Sequence, residues 1–390
     1  MTAASVPTVH PNPPRKSWAN WAAYPALACG VLIALPALGC APTKPIFPEV
    51  DPPIVWPPPP AAARIRYVGQ LRSAADLKPP PKLFQTLGDW LLGAPTPPEL
   101  YGPRSVVCTT DGQRVWIADP GGRCLHLFNL DRRAYRKVDR VGTIRLLTPV
   151  GVCLGPEETI FVCDAEDVAI HRLAADSGEL VESLTLSEEV HRPAAVRYDA
   201  AADELYVADV AGHDVKVLGR DGTLRRTLGT RGARPGEFNF PCDVVLTGGV
   251  VWVVDTGNYR VQGVSPMGEP LVAFGQAGDA PGDLALPKGV ALDSDGHIYV
   301  VDGRFENIQV FDRRGQLLLV FGQEGTEPGQ FWLPGGIFID PQDRIWVCDS
   351  YNRRVQVFQY LRAPQAPGDA AQTLPPQEQA ASALRGAGTR

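Results

Sequence analysis

The sequence has little of what redox and metal sites are built from. Only six of its 390 residues are histidine, and its eight cysteines form neither a CxxC pair nor a CxxCH motif for covalent haem. The net charge is −6, whereas binding to nucleic-acid phosphates normally needs a basic face. The composition therefore argues against a redox protein, a zinc module and a nucleic-acid-binding protein.

Turn-forming residues are abundant instead. The chain contains 39 glycines and 39 prolines, which favours many turns over long helices. Its 44% hydrophobic and 21% charged residues are typical of a globular protein. The length is sufficient for one large core or two modest cores.

The first forty residues have the pattern of a targeting segment. Arg15 and Lys16 precede an uncharged stretch that ends at Gly39-Cys40 and resembles a bacterial lipobox. We interpret residues 1–39 as a lipoprotein-type signal peptide and Cys40 as the lipidated residue. An uncleaved anchor is the alternative, because the apolar run is about long enough to span a bilayer. Ala41 follows the cysteine in place of the aspartate that is linked to inner-membrane retention. By this resemblance we expect a lipid-anchored cell-envelope protein of the outer membrane, periplasmic or surface-facing.

Two flanking segments are expected outside the folded domain. Residues 40–63 hold the lipid-anchor cysteine and a proline-rich stretch, which predicts a stiff, extended linker. Residues 362–390 are rich in Ala, Pro, Gln and Gly, and their composition predicts a disordered tail.

A repeat fills the region between these segments. Six short apolar strands each end in an aspartate and carry an aromatic residue three positions earlier; the aspartates are Asp119, Asp164, Asp209, Asp255, Asp302 and Asp349. Their spacings are 45, 45, 46, 47 and 47 residues. Four short strands per unit at this period indicate an all-β, six-bladed β-propeller over residues 64–361.

The sixth unit lacks a fourth strand, and an isolated strand stands upstream of the first unit. Arg64 to Leu71 ends in Val68-Gly69, which matches the endings of fourth strands at Val141-Gly142 and Phe321-Gly322. We predict that this N-terminal strand completes the last blade and closes the ring. Closure would remove an unpaired sheet edge.

The later repeats carry a specific resemblance. The segment from Phe321 to Phe358 and the segment from Val254 to Val264 are similar to the NHL repeat consensus. The resemblance extends over about residues 64–360 and is strongest in blades four to six. Together with the signal, linker and closing strand, it resembles bacterial cell-envelope NHL-repeat lipoproteins. It implies a six-bladed propeller that usually serves as a platform for partners and only sometimes as an enzyme.

Residues that differ between blades are the candidate binding residues. The six aspartates are expected to order hairpins and to lie too far apart to share a metal ion. The loops that follow them vary, and they share a rim with the loops entering each first strand. We predict a partner-binding rim for a protein, peptide or glycan, formed by Arg123, His213, Tyr259, Arg304, Phe305, Glu306, Tyr351 and Arg353. Val168 occupies the equivalent position on blade two. The alternative is a solvated loop face.

The residues that follow the strand-opening prolines should line the channel mouth. They include Arg104 and Lys288, and Asp243 is the single inward carboxylate candidate. Propeller enzymes resembling lactonases or peptidyl-hydroxyglycine lyases use this region with a divalent metal. Only His191 could join Asp243, so we predict no metal, cofactor or catalytic set, with a hydrolase or lyase as the alternative function.

Two further features leave alternatives open. Cys108 and Cys153 lie on first strands of neighbouring blades at positions of opposite parity, so both face the shared interface or both face away, and a disulfide is possible. Within the insertion 72–102, helical spacing of Leu83, Leu87 and Trp90 predicts a helix over 82–93. That helix could dock on the propeller or contact a partner or membrane.

Overall fold

The computed structural model describes residues 45–78 and 99–362. The predicted signal peptide, Cys40, the helix over 82–93 and nearly all of the predicted tail lie outside these residues. No helix within the described ranges has the length and apolarity needed to cross a membrane.

Short strands make up almost all of the regular structure. They are β1 Val55–Trp56, β2 Ile65–Leu71, β3 Ser105–Cys108, β4 Arg114–Asp119, β5 Cys124–Asn129, β6 Ala134–Val138, β7 Arg140–Val141, β8 Ile144–Arg145, β9 Pro149–Leu154, β10 Thr159–Asp164, β11 Ala169–Ala174, β12 Leu180–Thr185, β13 Pro193–Asp199, β14 Glu204–Asp209, β15 Asp214–Gly219, β16 Leu224–Leu228, β17 Pro241–Thr247, β18 Val250–Asp255, β19 Arg260–Val264, β20 Pro270–Phe274, β21 Pro287–Leu292, β22 Ile298–Asp302, β23 Asn307–Phe311, β24 Leu317–Phe321, β25 Pro334–Ile339, β26 Arg344–Asp349 and β27 Arg354–Tyr360. Two 3-10 turns occupy Ala74–Leu77 and Thr256–Asn258.

These strands form six antiparallel blades. Five blades have four strands each, β3–β6, β9–β12, β13–β16, β17–β20 and β21–β24. The sixth has the order β1-β2-β27-β26-β25, and β7 pairs with β8 in a separate small hairpin. The prediction of an all-β, six-bladed propeller is confirmed.

The core is divided among six apolar clusters, one between each pair of neighbouring blades. One of these clusters joins blade six to blade one and contains Trp346 and Val115, both fully buried. This arrangement explains why the second strands are apolar on both faces, since each blade packs against two others. Burial of these side chains is the main stabilising term for the ring.

The N-terminal strand β2 pairs antiparallel with β27, so it occupies the fourth-strand position of blade six. Tyr67 lies opposite Phe358, and a bulge follows before Gly69 pairs with Val357. Tyr67 and Phe358 are also in edge-on ring contact at 5.6 Å. The strand before the first blade and the three strands of the last repeat therefore share one sheet.

The proline-rich stretch differs from the extended spacer that its composition predicts. From residue 45 onward it lies along blade six, where β1 pairs with β2. Trp56 contacts the rings of Phe321 and Phe358 at 5.7 and 5.8 Å. Phe47 lies 6.3 Å from the ring of Trp346. The reason is that these aromatic side chains find apolar grooves between and beside strands, even though the prolines preclude a long strand.

Two local features refine the sequence-based description. Val141-Gly142 belongs to the β7–β8 hairpin and not to the fourth strand of blade one, which ends at Val138. Cys108 packs between blades six and one, whereas Cys153 packs between blades two and three. The two thiols therefore face away from their shared interface and are free.

Candidate binding site

The six blade aspartates lie beneath the rim and hold its loops in place through hydrogen bonds. All six are fully buried. Each accepts hydrogen bonds from backbone amides of the loop that enters its own blade; the donors include Tyr101, Leu147, His191, Asn239, Ala285 and Trp332. Several also accept from their own hairpin turn, as Asp119 does from Gly122 at 2.8 Å. The predicted scaffold role is confirmed, and the carboxylates bind both kinds of loop on the rim.

The variable position four residues after each aspartate has one backbone conformation in all blades. Arg123, Val168, His213, Tyr259, Glu306 and Arg353 have φ values between 47° and 59°. This left-handed conformation closes the turn after the second strand. Six unlike side chains are thus presented from equivalent backbone positions, although their surroundings differ.

Burial divides the predicted rim residues into two groups. Arg123, Tyr259, Arg304, Tyr351 and Arg353 are exposed, whereas Phe305 is half-buried. His213 is only 7% exposed, and its ring lies against Phe240 at 4.4 Å. Its Nδ1 accepts a hydrogen bond from the Phe240 amide. The expectation that His213 is displayed is therefore wrong, because a neighbouring loop covers it.

Glu306 forms a hydrogen bond between blade five and blade six. Its Oε1 accepts a hydrogen bond from the Leu333 amide of blade six at 3.3 Å, and its Oε2 is buried without a partner among the described residues. Burial raises the pKa of the Glu306 carboxyl. Val168 on blade two is half-buried as well. The exposed residues of the predicted rim therefore form an arc over blades four, five, six and one.

Three predicted cations meet in one cavity. Arg104, Lys288 and Arg353 line a space of about 410 Å³, together with Tyr101, Tyr351 and Leu333. Arg104 precedes β3 of blade one, Lys288 lies in β21 of blade five, and Arg353 follows β26 of blade six. The structure therefore joins residues that the sequence assigned separately to the rim and to the channel mouth.

The charged side chains that line this cavity are all positive. None of its lining residues is acidic. Within the described ranges, the side chains of Arg104 and Lys288 make no hydrogen bond or ion pair. Burial and then the Arg104 guanidinium lower the pKa of Lys288. Because no acidic residue lines the cavity, its positive charge is not balanced. The burial and the neighbouring cation both disfavour the ammonium form of Lys288.

Exposed aromatic residues extend the same rim. Tyr101, Phe240, Tyr259, Trp332 and Tyr351 have exposed fractions of 56%, 47%, 41%, 49% and 60%. The rings of Trp332 and Tyr351 lie 5.6 Å apart. Sequence reasoning missed Tyr101, Phe240 and Trp332. Their position one or two residues before a strand-opening proline, in loops expected on this rim, was the available signal.

The channel is narrow beside Asp243, its inward carboxylate. Asp243 is 5% exposed; it pairs with Arg197 at 3.1 Å and accepts a hydrogen bond from the Val290 amide. The cavity beside it measures about 10 Å³, room for about one water molecule. Asp243 therefore lies inside the channel and not at its mouth, and it links blades three, four and five. No three His, Cys, Asp or Glu side chains among the described residues converge to hold a metal ion.

Comparison with known families agrees with this architecture. The model of the NHL repeat family matches residues 284–311 and 331–358, which cover the first three strands of blades five and six. The match does not reach blade four, where the sequence also resembles the repeat. No curated protein shows significant sequence similarity to the chain.

Solved structures share the fold. A protein of unknown function from Bacteroides thetaiotaomicron VPI-5482 superposes with a TM-score of 0.54 at 16% identity, covering 67% of this chain and 70% of its own. An auxiliary nutrient binding protein from the same organism has a TM-score of 0.53 at 14% identity, with 67% and 70% covered. A streptogramin B lyase has a TM-score of 0.52 at 13% identity, with 69% and 96% covered. At these identities the likeness shows the fold alone.

Proposed function

We propose that this six-bladed propeller, which carries NHL repeats, is a non-enzymatic binding platform for a protein, peptide or glycan partner. The observation that carries the proposal is the arc of exposed aromatic and cationic side chains on one rim. Five aromatic residues there are at least 41% exposed, and Arg123, Arg304 and Arg353 lie among them. Exposed aromatic and arginine side chains are the residue types that anchor interfaces.

The proposal includes export and attachment to the membrane through a lipid on Cys40. Wild-type protein should incorporate a fatty-acid analogue and lose residues 1–39, whereas a Cys40→Ala variant should incorporate none. A wild-type protein that keeps residues 1–39 and takes up no label would support the uncleaved anchor instead. Labelling with the analogue and the mass of the membrane-bound protein separate the two.

The rim is tested by capture of the native partner. Full-length protein is isolated from membranes under mild crosslinking, and the co-purifying molecules are identified. A double charge swap, Arg123→Glu with Arg353→Glu, should abolish capture because it reverses the rim's charge on blades one and six. The matched control is Arg313→Glu with Arg314→Glu, an equal change in the exposed β23–β24 turn. Capture that survives the rim swap would favour a solvated loop face.

The alternative function is a metal-dependent hydrolase or lyase in the central channel. It depends on Asp243 and His191, yet Asp243 is engaged by Arg197, and the His191 side chain is exposed. Metal content measured on the purified native protein tests it. About one equivalent of bound metal without a partner would overturn the platform.

A further inference from the structure

We propose that the cavity formed by Arg104, Lys288 and Arg353 binds a carboxylate or phosphate group carried by the partner. This inference rests on the proposed function and names the chemistry that the rim recognises. The cavity, called the cationic pocket below, lies where blades five, six and one meet. Its volume of about 410 Å³ is within the range of ligand sites.

The first argument is the absence of a counter-charge inside the pocket. The carboxylates of the three blades that border the pocket are Asp119, Asp302 and Asp349, all fully buried. Asp119 accepts from the amides of Tyr101 and Gly102, and Asp349 accepts from Arg354 and other donors. Asp302 accepts from the amides of Ala285 and Leu286. These carboxylates are therefore committed below the rim, and within the described part of the chain no ion pair joins a carboxylate to a pocket cation.

The second argument is the cost of keeping Lys288 charged. Its aliphatic stem passes over Gly303, where an added Cβ would lie 3.3 Å from the Lys288 Cε. The ammonium is thus held in a part-buried position beside Arg104, and its pKa is lowered by that burial and by the second cation. An anion bound between Lys288 and Arg104 would remove this penalty.

The third argument is the chemistry of the donors. A guanidinium presents a planar set of N–H donors that matches a carboxylate or phosphate with two parallel hydrogen bonds. Arg104 forms the pocket's inner side, and Arg353 lies at its rim with the guanidinium over the Tyr101 ring at 6.0 Å. Tyr351 lines the same space and is 60% exposed. An acidic group can therefore enter from the rim and meet two arginines and a lysine.

The test is titration calorimetry on the full chain with two probes, inorganic phosphate and citrate. Wild-type protein should bind at least one probe at a single site. Lys288→Met and Arg104→Gln should each weaken that binding roughly tenfold or more, since each removes a charged donor. Arg314→Gln is the matched control, because Arg314 is exposed in the β23–β24 turn and lines neither the rim nor the pocket. Thermal unfolding checks each variant, and Arg353→Gln serves if an inner variant does not fold.

The pH dependence separates a direct role of Lys288 from a structural one. Binding should weaken as pH rises through the lowered pKa of Lys288, because the ammonium is then lost in the free protein. At pH values where the probe itself is fully ionised, Lys288→Met should lack this dependence, and calorimetry in buffers of different ionisation enthalpy should show proton uptake by wild type only. Arg104 and Cys242 are the other titratable groups that act on Lys288.

The outcomes are distinct from those of the capture experiment. Binding of phosphate alone or of citrate alone assigns the source of the anion, and either supports the site. No heat with both probes, or equal weakening by Arg314→Gln, overturns it. The proposed platform function is retained even then if the double charge swap at Arg123 and Arg353 still abolishes capture of the native partner.

Discussion

Arg353 lies over the ring of Tyr101, with the guanidinium carbon 6.0 Å from the ring centroid. The first residue belongs to the β26–β27 loop of blade six and the second to the loop that enters blade one. A cation over an aromatic face is an attractive contact. It therefore couples the two loops that border the cationic pocket, at the point where the ring closes.

The exposed aromatic pair on blade six should contribute strongly to partner capture. Trp332→Ala and Tyr351→Ala should each weaken capture roughly tenfold or more, as truncation of interface anchors does. Each should change the free energy of unfolding by no more than about 0.5 kcal/mol, because both side chains are about half-exposed or more.

Quantitative capture assays and denaturant unfolding measure these two effects. Leu318→Ala is the control, since Leu318 is 49% exposed on β24 and does not line the cationic pocket. Equal losses of capture for Leu318 and Tyr351 would show that exposed apolar area, and not the rim, governs capture.

The buried ion pair of blade six should be a major contributor to stability. Arg354 Nε donates to Asp349 at 2.6 Å, with side chains 1% and 0% exposed. Arg354 also donates to the side-chain oxygen of Gln70 at 3.0 Å, and Gln70 lies in β2. Arg354→Met should destabilise the fold by about 3–5 kcal/mol, because it leaves a buried carboxylate uncompensated.

Blade four provides the matched comparison for Arg354. Arg260 pairs with Asp255 at 2.8 Å in the equivalent position, but it is 14% exposed and has no partner on β2. Arg260→Met should therefore cost less free energy of unfolding than Arg354→Met in chemical denaturation. An equal cost would show that the Gln70 contact adds nothing to ring closure.

Repetition explains which parts of this fold were predictable. The blade aspartate, the preceding apolar strand and the turn after it recur because the same hydrogen bonds to loop and turn amides stabilise every blade. Blades four to six add a glutamine seven residues after the aspartate, at Gln262, Gln309 and Gln356. These amides bind the backbone of the loop before their own blade. The loop and the glutamine occur together in these three blades, and the NHL repeat model matches two of them, blades five and six.

The unpredicted features depend on contacts between blades. His213 is buried because Phe240, from the loop entering blade four, covers it. Lys288 and Arg104 share a cavity because blades five and one both border blade six at the channel mouth. The composition of the proline-rich stretch likewise could not predict where the Trp56 and Phe47 side chains pack, since they pack in grooves formed by strands distant in sequence. A single sequence shows which loops reach the rim, but not which side chains a neighbouring loop covers.

The segment before β2 should stabilise the closing strand through one close approach. A Cβ added at Gly69 would lie 2.4 Å from the Phe47 ring and 3.1 Å from the Phe47 Cβ. Gly69→Ala should therefore cost about 1–3 kcal/mol, as overpacking does.

A double-mutant cycle tests this contact. Phe47→Ala alone removes an aromatic contact with Trp346 and should also destabilise the fold. In the double variant the added methyl group has room, so the two losses should be less than additive by about 0.5 kcal/mol or more. Additive losses in urea unfolding would show that Phe47 does not lie against Gly69 in solution.

The pH dependence of stability should report on His297. Its Nδ1 lies 2.8 Å from Asp293 Oδ2, and Tyr299 also donates to that oxygen at 3.0 Å. The hydrogen bond to Asp293 raises the pKa of His297 above its usual value of 6.5. A histidine whose folded-state pKa is raised stabilises the fold fully below the unfolded pKa, and this stabilisation is lost as pH rises through the folded pKa.

His297→Gln should therefore lower stability most between about pH 5 and 6.5, with a difference from wild type that shrinks as pH rises above that range. Thermal unfolding across pH 5 to 9 measures it. His191→Gln is the control, because the His191 side chain is exposed and makes no ion pair among the described residues. A difference for His297→Gln that grows above pH 6.5 would contradict the assigned direction of the pKa shift. Such a result would mean that the neutral imidazole is the form that the fold stabilises.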